Sequence, residues 1–217
     1  MSQKIINHQM IIDGKYTNSI TEKTIEIECP ANKRIFASVP RGNEADVDIA
    51  VKSSLKAFRS WSKVMPKERG KILLQIADAI EIEKEDIAKI IATETGNAIK
   101  TQARPEINLV VDIFRYFGGL SSELKGETIP LGDHVLSYTR REPLGVVGAI
   151  IPWNAPVMLG ACKIAPALCA GNTIVMKAAE DAPLAILKVA EICQKFIPPG
   201  VLNLLTGTGS ECGEPLA

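Results

Sequence analysis

The sequence lacks a hydrophobic run long enough to cross a membrane. Its most apolar stretch, VVGAIIPW at residues 146–153, is interrupted by a proline. It is far shorter than the ~20 residues that a membrane-spanning helix needs. The first ten residues, MSQKIINHQM, also lack the apolar core of a secretory signal. We therefore expect no membrane partner and a cytoplasmic location.

An excess of charge of either sign is also missing. Lys and Arg total 25, Asp and Glu total 25, and the net charge is zero. No strong field therefore attracts nucleic acid, and we expect no nucleic-acid partner. The five cysteines contain no C-x-x-C pair, and the two histidines, His8 and His134, lie far apart in sequence. We expect neither a disulfide framework nor a metal site.

The N-terminal half has short strand patterns followed by helical ones. Asp13-Gly14 is a strong signal for a hairpin turn between two strands. Apolar residues then recur at helical spacing. Four helical patterns are predicted, with capping residues or prolines at their ends: Asn43, Pro66, Gly96 and Pro105.

The C-terminal part alternates strands with helices. GVVGAI, TIVMKA and VLNLLTG are buried-strand patterns, and helix-length segments separate them. The last of these segments, APLAILKVAEICQKFI, has an amphipathic pattern. Such alternation predicts parallel βαβ units, so the fold class is α/β with a partial Rossmann-like βαβαβ sheet.

Three parts of the chain follow from these patterns. Residues 1–125 are predicted to form the N-terminal strand and helix part of a cofactor-binding domain. Residues 126–144 are predicted to form an extended ribbon that serves oligomerisation. Residues 145–217 are predicted to form a βαβαβ dinucleotide-binding unit that is truncated at its C-terminal end.

The carboxyl ends of the three parallel strands carry polar and glycine residues. In a doubly wound sheet these ends lie side by side and bind ligands. Glu180 follows the second strand, where dinucleotide folds bind the adenosine ribose, and Lys177 can add a donor. A carboxylate there disfavours a 2′-phosphate, so NAD is preferred over NADP. A solvated ion pair at a helix start is the alternative for these two residues.

GTGSECG, at residues 207–213, follows the third strand. It is a weak version of a dinucleotide fingerprint, because its last glycine comes one residue late. Glycines needed only for positive φ in a strand-to-helix turn are the alternative.

Asn154 follows the first strand, after an apolar run and Trp153. We expect its side-chain amide to lie near the core, where an amide without partners costs roughly 1–3 kcal/mol. Two roles are open. Asn154 can cap the next helix, in which Pro156 suits an early position. It can also donate to an oxyanion that develops during a reaction.

These motifs together resemble the NAD(P)-dependent aldehyde dehydrogenases. The resemblance rests on RREPLGVVGAIIPWNAP, KAAE, LTGTGSECG and the upstream segments ATETGNAI and FRYFGG. It covers essentially the whole chain, which is similar to the N-terminal portion of that superfamily. It implies oxidation of a small-molecule aldehyde with NAD, or less favourably NADP, in a parent protein that forms a homo-oligomer.

The resemblance also implies roles for particular residues. Asn154 matches the asparagine that stabilises the oxyanion, and it can cap the helix as well. Lys163 matches a buried lysine that takes part in proton relay in some members, with a structural ion pair as the alternative. Matches to cofactor-binding positions are Ile151, Pro152, Trp153, Asn154, Lys177, Glu180, Gly209 and Gly213.

One face of the helix after Asn154 is predicted to line the substrate tunnel. The residues on this face are Ala155, Met158 and Cys162, which lie at helical spacing. The resemblance directs this face toward the tunnel, and it leaves the identity of the aldehyde open.

Two departures from the family pattern affect the expected activity. Ala178 replaces the usual proline after the cofactor lysine, which is expected to loosen the backbone slightly. The family's nucleophilic cysteine and general-base glutamate lie far downstream of the asparagine motif. We therefore expect these 217 residues alone to be inactive. The alternative is a non-catalytic fragment that binds NAD or interacts with other subunits.

Overall fold

The computed structural model describes residues 5–217, and it confirms the α/β prediction. The strands are β1 (Ile6–Asn7), β2 (Met10–Ile12), β3 (Lys15–Thr17), β4 (Thr24–Cys29), β5 (Arg34–Pro40), β6 (Thr128–Pro130), β7 (Leu136–Tyr138), β8 (Val146–Ile150), β9 (Thr173–Lys177) and β10 (Leu202–Leu205). The α-helices are α1 (Glu44–Trp61), α2 (Pro66–Thr95), α3 (Arg104–Leu120), α4 (Pro156–Ala170) and α5 (Leu184–Gln194).

A five-stranded sheet organises the molecule, with strand order β3-β2-β10-β9-β8. The last three strands are parallel, so β8-α4-β9-α5-β10 forms the predicted βαβαβ unit. The hairpin β2–β3 completes the sheet by antiparallel pairing of Ile11 with Leu204. Asp13 and Gly14 connect this hairpin with φ values of 54° and 71°, as the turn signal predicted.

The three central strands of this sheet, β2, β10 and β9, bury both faces. Successive side chains of a strand point to opposite faces. Ile174 and Met176 pack in the cluster that includes α4 and α5, whereas Val175 packs with Val47 and Ala50 of α1. Helices α2 and α3 pack behind α4 and α5, so the βαβαβ unit has a second helical layer on one side.

The N-terminal helices follow the sequence prediction except at one point. Asn43 caps α1 in a reciprocal capping box with Asp46, and Gly96 ends α2 with a φ of 77°. The two helices predicted between Pro66 and Gly96 are a single helix, α2. Ile80 and Ile87 lie two turns apart on the same buried face, so the apolar stripe continues without a break.

The helices α4 and α5 have two further features. Pro166 lies inside α4 without interrupting it. The helix α5 carries its polar residues on one side, as the amphipathic pattern predicted, and its other residues are buried. Its polar residues Lys188, Glu191 and Gln194 are only half-buried.

Residues 126–144 contain the antiparallel pair β6–β7, in which Thr128 faces Tyr138. The domain boundaries themselves stay predictions, and residues 1–4 of the first part lie outside the described residues. In residues 5–217, no helix is both long enough and apolar enough to cross a bilayer.

Candidate functional site

The carboxyl ends of β8, β9 and β10 are joined by hydrogen bonds. The N–H of Ile151 donates to the carbonyl of Lys177 over 3.1 Å. The N–H of Ala178 donates to the carbonyl of Leu205 over 2.9 Å. The three segments with candidate site residues therefore leave one edge of the sheet side by side.

Lys177 and Glu180 form an ion pair at this edge. The Nζ of Lys177 lies 2.6 Å from an Oε of Glu180, and the two side chains are 4% and 40% exposed. Burial acts to raise the pKa of Glu180, but hydrogen bonds from Lys177 and from the backbone of Gly209 hold it below its ordinary value. Because the ammonium group is buried, a fully solvated pair is not what the structure shows.

Gly209 and Gly213 lie in the short π-helical turn Gly209–Gly213, opposite this pair. Neither glycine has a positive φ, whereas Gly207 has a φ of 156°. A Cβ at Gly209 would meet no atom within 4 Å, and one at Gly213 would meet only Ile150, at 3.9 Å. The backbone therefore requires glycine at position 207, and open space lies beside Gly209.

Asn154 is exposed, so the expectation that its amide lies near the core is wrong. The capping role is also wrong, because the N-cap of α4 is Ala155 and no side chain next to it caps the helix. The first-turn N–H groups of Val157 and Met158 donate instead to Glu106 of α3, each over 3.1 Å. Those donors are already satisfied, which leaves the Asn154 carboxamide free for another partner.

The segment before Asn154 passes from buried to exposed. Ile151 is buried, whereas Pro152 and Trp153 are exposed. Trp153 lies beside a cavity of about 300 Å³ that Glu94, Asp181 and other residues line. The backbone of the segment is held from the α2 end, since the side-chain amide of Asn97 donates to the carbonyl of Asn154 over 3.2 Å.

The predicted tunnel face of α4 is partly open. Ala155 and Met158 are half-buried, and Cys162 is exposed. Lys163 is exposed as well, so the expected buried lysine is a wrong prediction for this chain. The next residue, Ile164, is buried in the core. Neighbouring residues of a helix point in different directions, so Lys163 points toward the surface. Within residues 5–217 no ion pair of Lys163 is found, so the structural ion pair is not supported either.

The sequence model of the aldehyde dehydrogenase family matches residues 16–217. The chain belongs to this family. Similar relatives include the long-chain-aldehyde dehydrogenase of an Acinetobacter species, which is 37% identical over 97% of the chain and 42% of its own length. Aldehyde dehydrogenase 1 of Tanacetum cinerariifolium is 40% identical over 94% of the chain and 42% of its own length.

Solved structures of the family have the same fold. The NAD⁺ complex of an aldehyde dehydrogenase from Bacillus cereus superimposes with a TM-score of 0.94 at 37% identity. That match covers 97% of this chain and 43% of the Bacillus protein. The chain therefore spans less than half the length of the relatives that it matches.

The sequence analysis did not identify two buried glutamates, Glu94 and Glu106, that contact the site. Glu94 of α2 accepts the N–H groups of Leu184 and Ala185 over 2.6 and 2.9 Å, and Glu106 does the same for α4. Burial raises the pKa of both carboxyls, that of Glu94 to about 8. A signal was present, because Glu94 continues the apolar stripe of Ile87 and Ile91 at helical spacing.

Proposed function

We propose that the intact protein oxidises an aldehyde to a carboxylic acid with NAD as hydride acceptor. In this proposal the described chain binds the cofactor and supplies the donor for the oxyanion. The observation that carries the proposal is the Lys177–Glu180 ion pair, which lies beside Gly209 at the joined strand ends. The family and the NAD⁺ complex of the Bacillus cereus relative support it.

The residues at this edge fit the ribose of a dinucleotide. An exposed carboxylate can accept hydrogen bonds from two neighbouring hydroxyls, and the Lys177 ammonium can donate to one of them. The open space beside Gly209 admits a ligand close to the backbone. We propose that Ile151, Pro152, Trp153 and Gly213 line the same cleft.

When bound, the nicotinamide would accept the hydride. Asn154 would donate its side-chain N–H to the aldehyde oxygen as this oxygen gains negative charge. Loss of such a donor typically raises a barrier by about 2.7–4 kcal/mol. The residues that would border the substrate are Ala155, Met158 and Cys162. The role of Lys163 in proton transfer stays a prediction, and its side chain is exposed.

The test of cofactor binding is calorimetric titration of the chain with NAD and with NADP. NAD is expected to bind more tightly, because the Glu180 carboxylate repels a 2′-phosphate. Glu180→Gln should weaken NAD binding by about tenfold, as expected for the loss of a charge-assisted hydrogen bond, and should narrow the difference between the cofactors. The control is Glu123→Gln, at an exposed carboxylate that pairs with Lys125.

Equal affinities of the wild-type chain for the two cofactors would contradict the preference for NAD. Equal NAD binding by Glu180→Gln and wild type would contradict the assigned role of Glu180.

We also propose that a polypeptide of these 217 residues alone has no dehydrogenase turnover. Burial raises the pKa of the thiols of Cys169, Cys193 and Cys212, the last two to about 12 and about 11. These three thiols are therefore poor nucleophiles. The thiol of Cys162 is exposed, but its place in the sequence does not match that of the family's nucleophile. The expected result is no formation of NADH from NAD and a panel of aldehydes. NADH formation that depends on the aldehyde would refute the proposal.

Subunit association is a second candidate function, and it is compatible with the first. The β6–β7 ribbon exposes apolar side chains, of which Leu136 is 80% and Tyr138 67% exposed. Exposed apolar residues concentrated in one element are typical of protein interfaces. We propose that this ribbon pairs subunits in a homo-oligomer.

A further inference from the structure

We propose that Glu94 and Glu106 are positioning residues, which orient the two loops that carry Glu180 and Asn154. Both carboxylates come from helices outside the βαβαβ unit and bind the first turns of the two helices inside it. The inference rests on the proposed function for the roles of Glu180 and Asn154. The arrangement itself is a property of the fold.

Each of the two helices begins immediately after a loop at the strand ends. The N-cap residues, Ala155 of α4 and Pro183 of α5, make no side-chain cap. A helix normally satisfies its first N–H groups with a Ser, Thr, Asp or Asn next to them in sequence. Here two glutamate side chains remote in sequence accept these N–H groups instead.

The accepting atoms differ between the two sites. Both donors of α4, the N–H groups of Val157 and Met158, bind the same Oε1 atom of Glu106. The donors of α5 bind separate oxygens of Glu94, Leu184 on Oε2 and Ala185 on Oε1. This difference predicts that glutamine replaces the two residues with unequal success, since an amide has one accepting oxygen.

The remote caps fix the loops and leave their polar side chains available. The bonds to Glu106 begin three residues after Asn154, and those to Glu94 begin four residues after Glu180. Asn97, in the loop after α2, also holds the carbonyl of Asn154. A local cap would require a side chain of the loop itself, whereas the observed arrangement ties each loop to the α2–α3 pair.

Trp153 provides a local probe for the Asn154 loop. It is 55% exposed, whereas Trp61, the other tryptophan of the chain, is 1% exposed. Quenching of fluorescence by acrylamide therefore reports mainly on Trp153. Glu106→Ala is expected to change the quenching constant, because the start of α4 loses its acceptor. Glu106→Gln should restore the wild-type value, because one amide oxygen can accept both N–H groups.

Cofactor affinity provides the second measurement, on the same folded proteins. Glu94→Ala and Glu106→Ala are each expected to weaken NAD binding by about tenfold, the effect of losing the hydrogen bonds that fix a loop. Glu106→Gln should bind NAD like the wild type, and Glu94→Gln should recover only part of the affinity. Glu68→Ala, at an exposed carboxylate of α2 that pairs with Lys71, is the control.

The outcomes separate this inference from the proposed function. If the wild-type chain does not bind NAD, the proposed function fails, and the quenching of Trp153 still decides the positioning role. A folded Glu106→Ala protein with wild-type quenching would overturn that role. If Glu106→Ala does not fold, Glu106→Asp replaces it, since it keeps the charge and loses reach. Unchanged quenching in Glu106→Asp would then overturn the inference.

Discussion

Glu94 is a residue whose ionisation lowers the stability of this fold. Burial raises its pKa from 4.5 to about 8, the two backbone N–H groups act to lower it, and the charge of Glu106 acts to raise it. The folded state therefore favours the protonated carboxyl. Its contribution to the free energy of unfolding is fully present below about pH 4.5 and is lost as the pH rises to about 8.

Glu94→Gln should remove this contribution to the pH dependence. The free energy of unfolding of the wild type should fall, relative to that of the variant, by on the order of a few kcal/mol between about pH 5 and about pH 9. Urea unfolding of both proteins across this range measures the difference, and the other carboxyl groups cancel in it. Parallel pH profiles would show that Glu94 does not titrate as inferred.

Some site residues were predictable from local sequence, and others depended on remote partners. The pairing of Lys177 with Glu180 followed from their places after a buried strand. The exposure of Asn154 could not be predicted in this way. The first N–H groups of α4 bind Glu106, which lies 48 positions before Asn154, and so Asn154 is not needed as a cap. The sequence analysis expected that alanine in place of proline loosens the backbone at position 178, but it did not include the hydrogen bond that Ala178 makes. Its N–H donates to Leu205, a bond that proline could not form.

Among the elements, α4 is held at both ends by side chains of neighbouring helices. Glu106 binds its N-terminal turn, and Arg69 of α2 donates from Nε to the carbonyl of Cys169 in its last turn over 3.0 Å. Arg69 also donates to the carbonyl of Val64, and its side chain is buried. A carboxylate at the N-terminus and a guanidinium at the C-terminus both complement the helix dipole.

Arg69→Ala should lower the free energy of unfolding by about 3 kcal/mol, because the buried carbonyl of Cys169 and the part-buried carbonyl of Val64 lose a charged donor. Urea denaturation of the chain measures the change. Arg59→Ala is the matched control, since Arg59 is exposed in the last turn of α1 and its loss should have little effect. Equal destabilisation by the two substitutions would refute the assigned role of Arg69.

Helix type and helix ends were easier to predict than the surroundings of each helix. The caps at Asn43 and Gly96 are local and were predicted correctly. The burial of α5 depends on α2, which covers the side that carries its few polar residues. Lys188 remains there because Glu83 of α2 pairs with it at 2.8 Å. A hydrophobic pattern within α5 cannot reveal a partner that comes from another helix.

At the scale of the molecule, the N-terminal hairpin and the C-terminal strands form one sheet. Besides the pairing of β2 with β10, the side chain of Asn203 accepts the N–H of Asp13 over 2.8 Å at the hairpin turn. The sequence analysis predicted both the hairpin and the βαβαβ unit but not their pairing. A strand as short as β2 gives little indication of its partner, because the backbone N–H and C=O groups that pair are the same in every non-proline residue.

The β6–β7 ribbon has an unusual surface for a two-stranded sheet. Such a pair is only marginally stable alone in water. This one leaves Ile129, Leu136 and Tyr138 exposed on its strands. Pairing of the ribbon with a second copy would bury these side chains and add strands to the sheet. The free energy of association should then depend on the apolar residues of the ribbon.

Leu136→Glu should therefore weaken self-association of the chain, since a charged group would have to be buried at the interface. Analytical ultracentrifugation over a range of concentrations measures the association constant, which should fall by about tenfold or more. Ile82→Glu is the matched control, because Ile82 is 85% exposed on α2, outside the ribbon. A monomeric wild-type chain, or equal effects of the two substitutions, would contradict the assignment of the ribbon to subunit pairing.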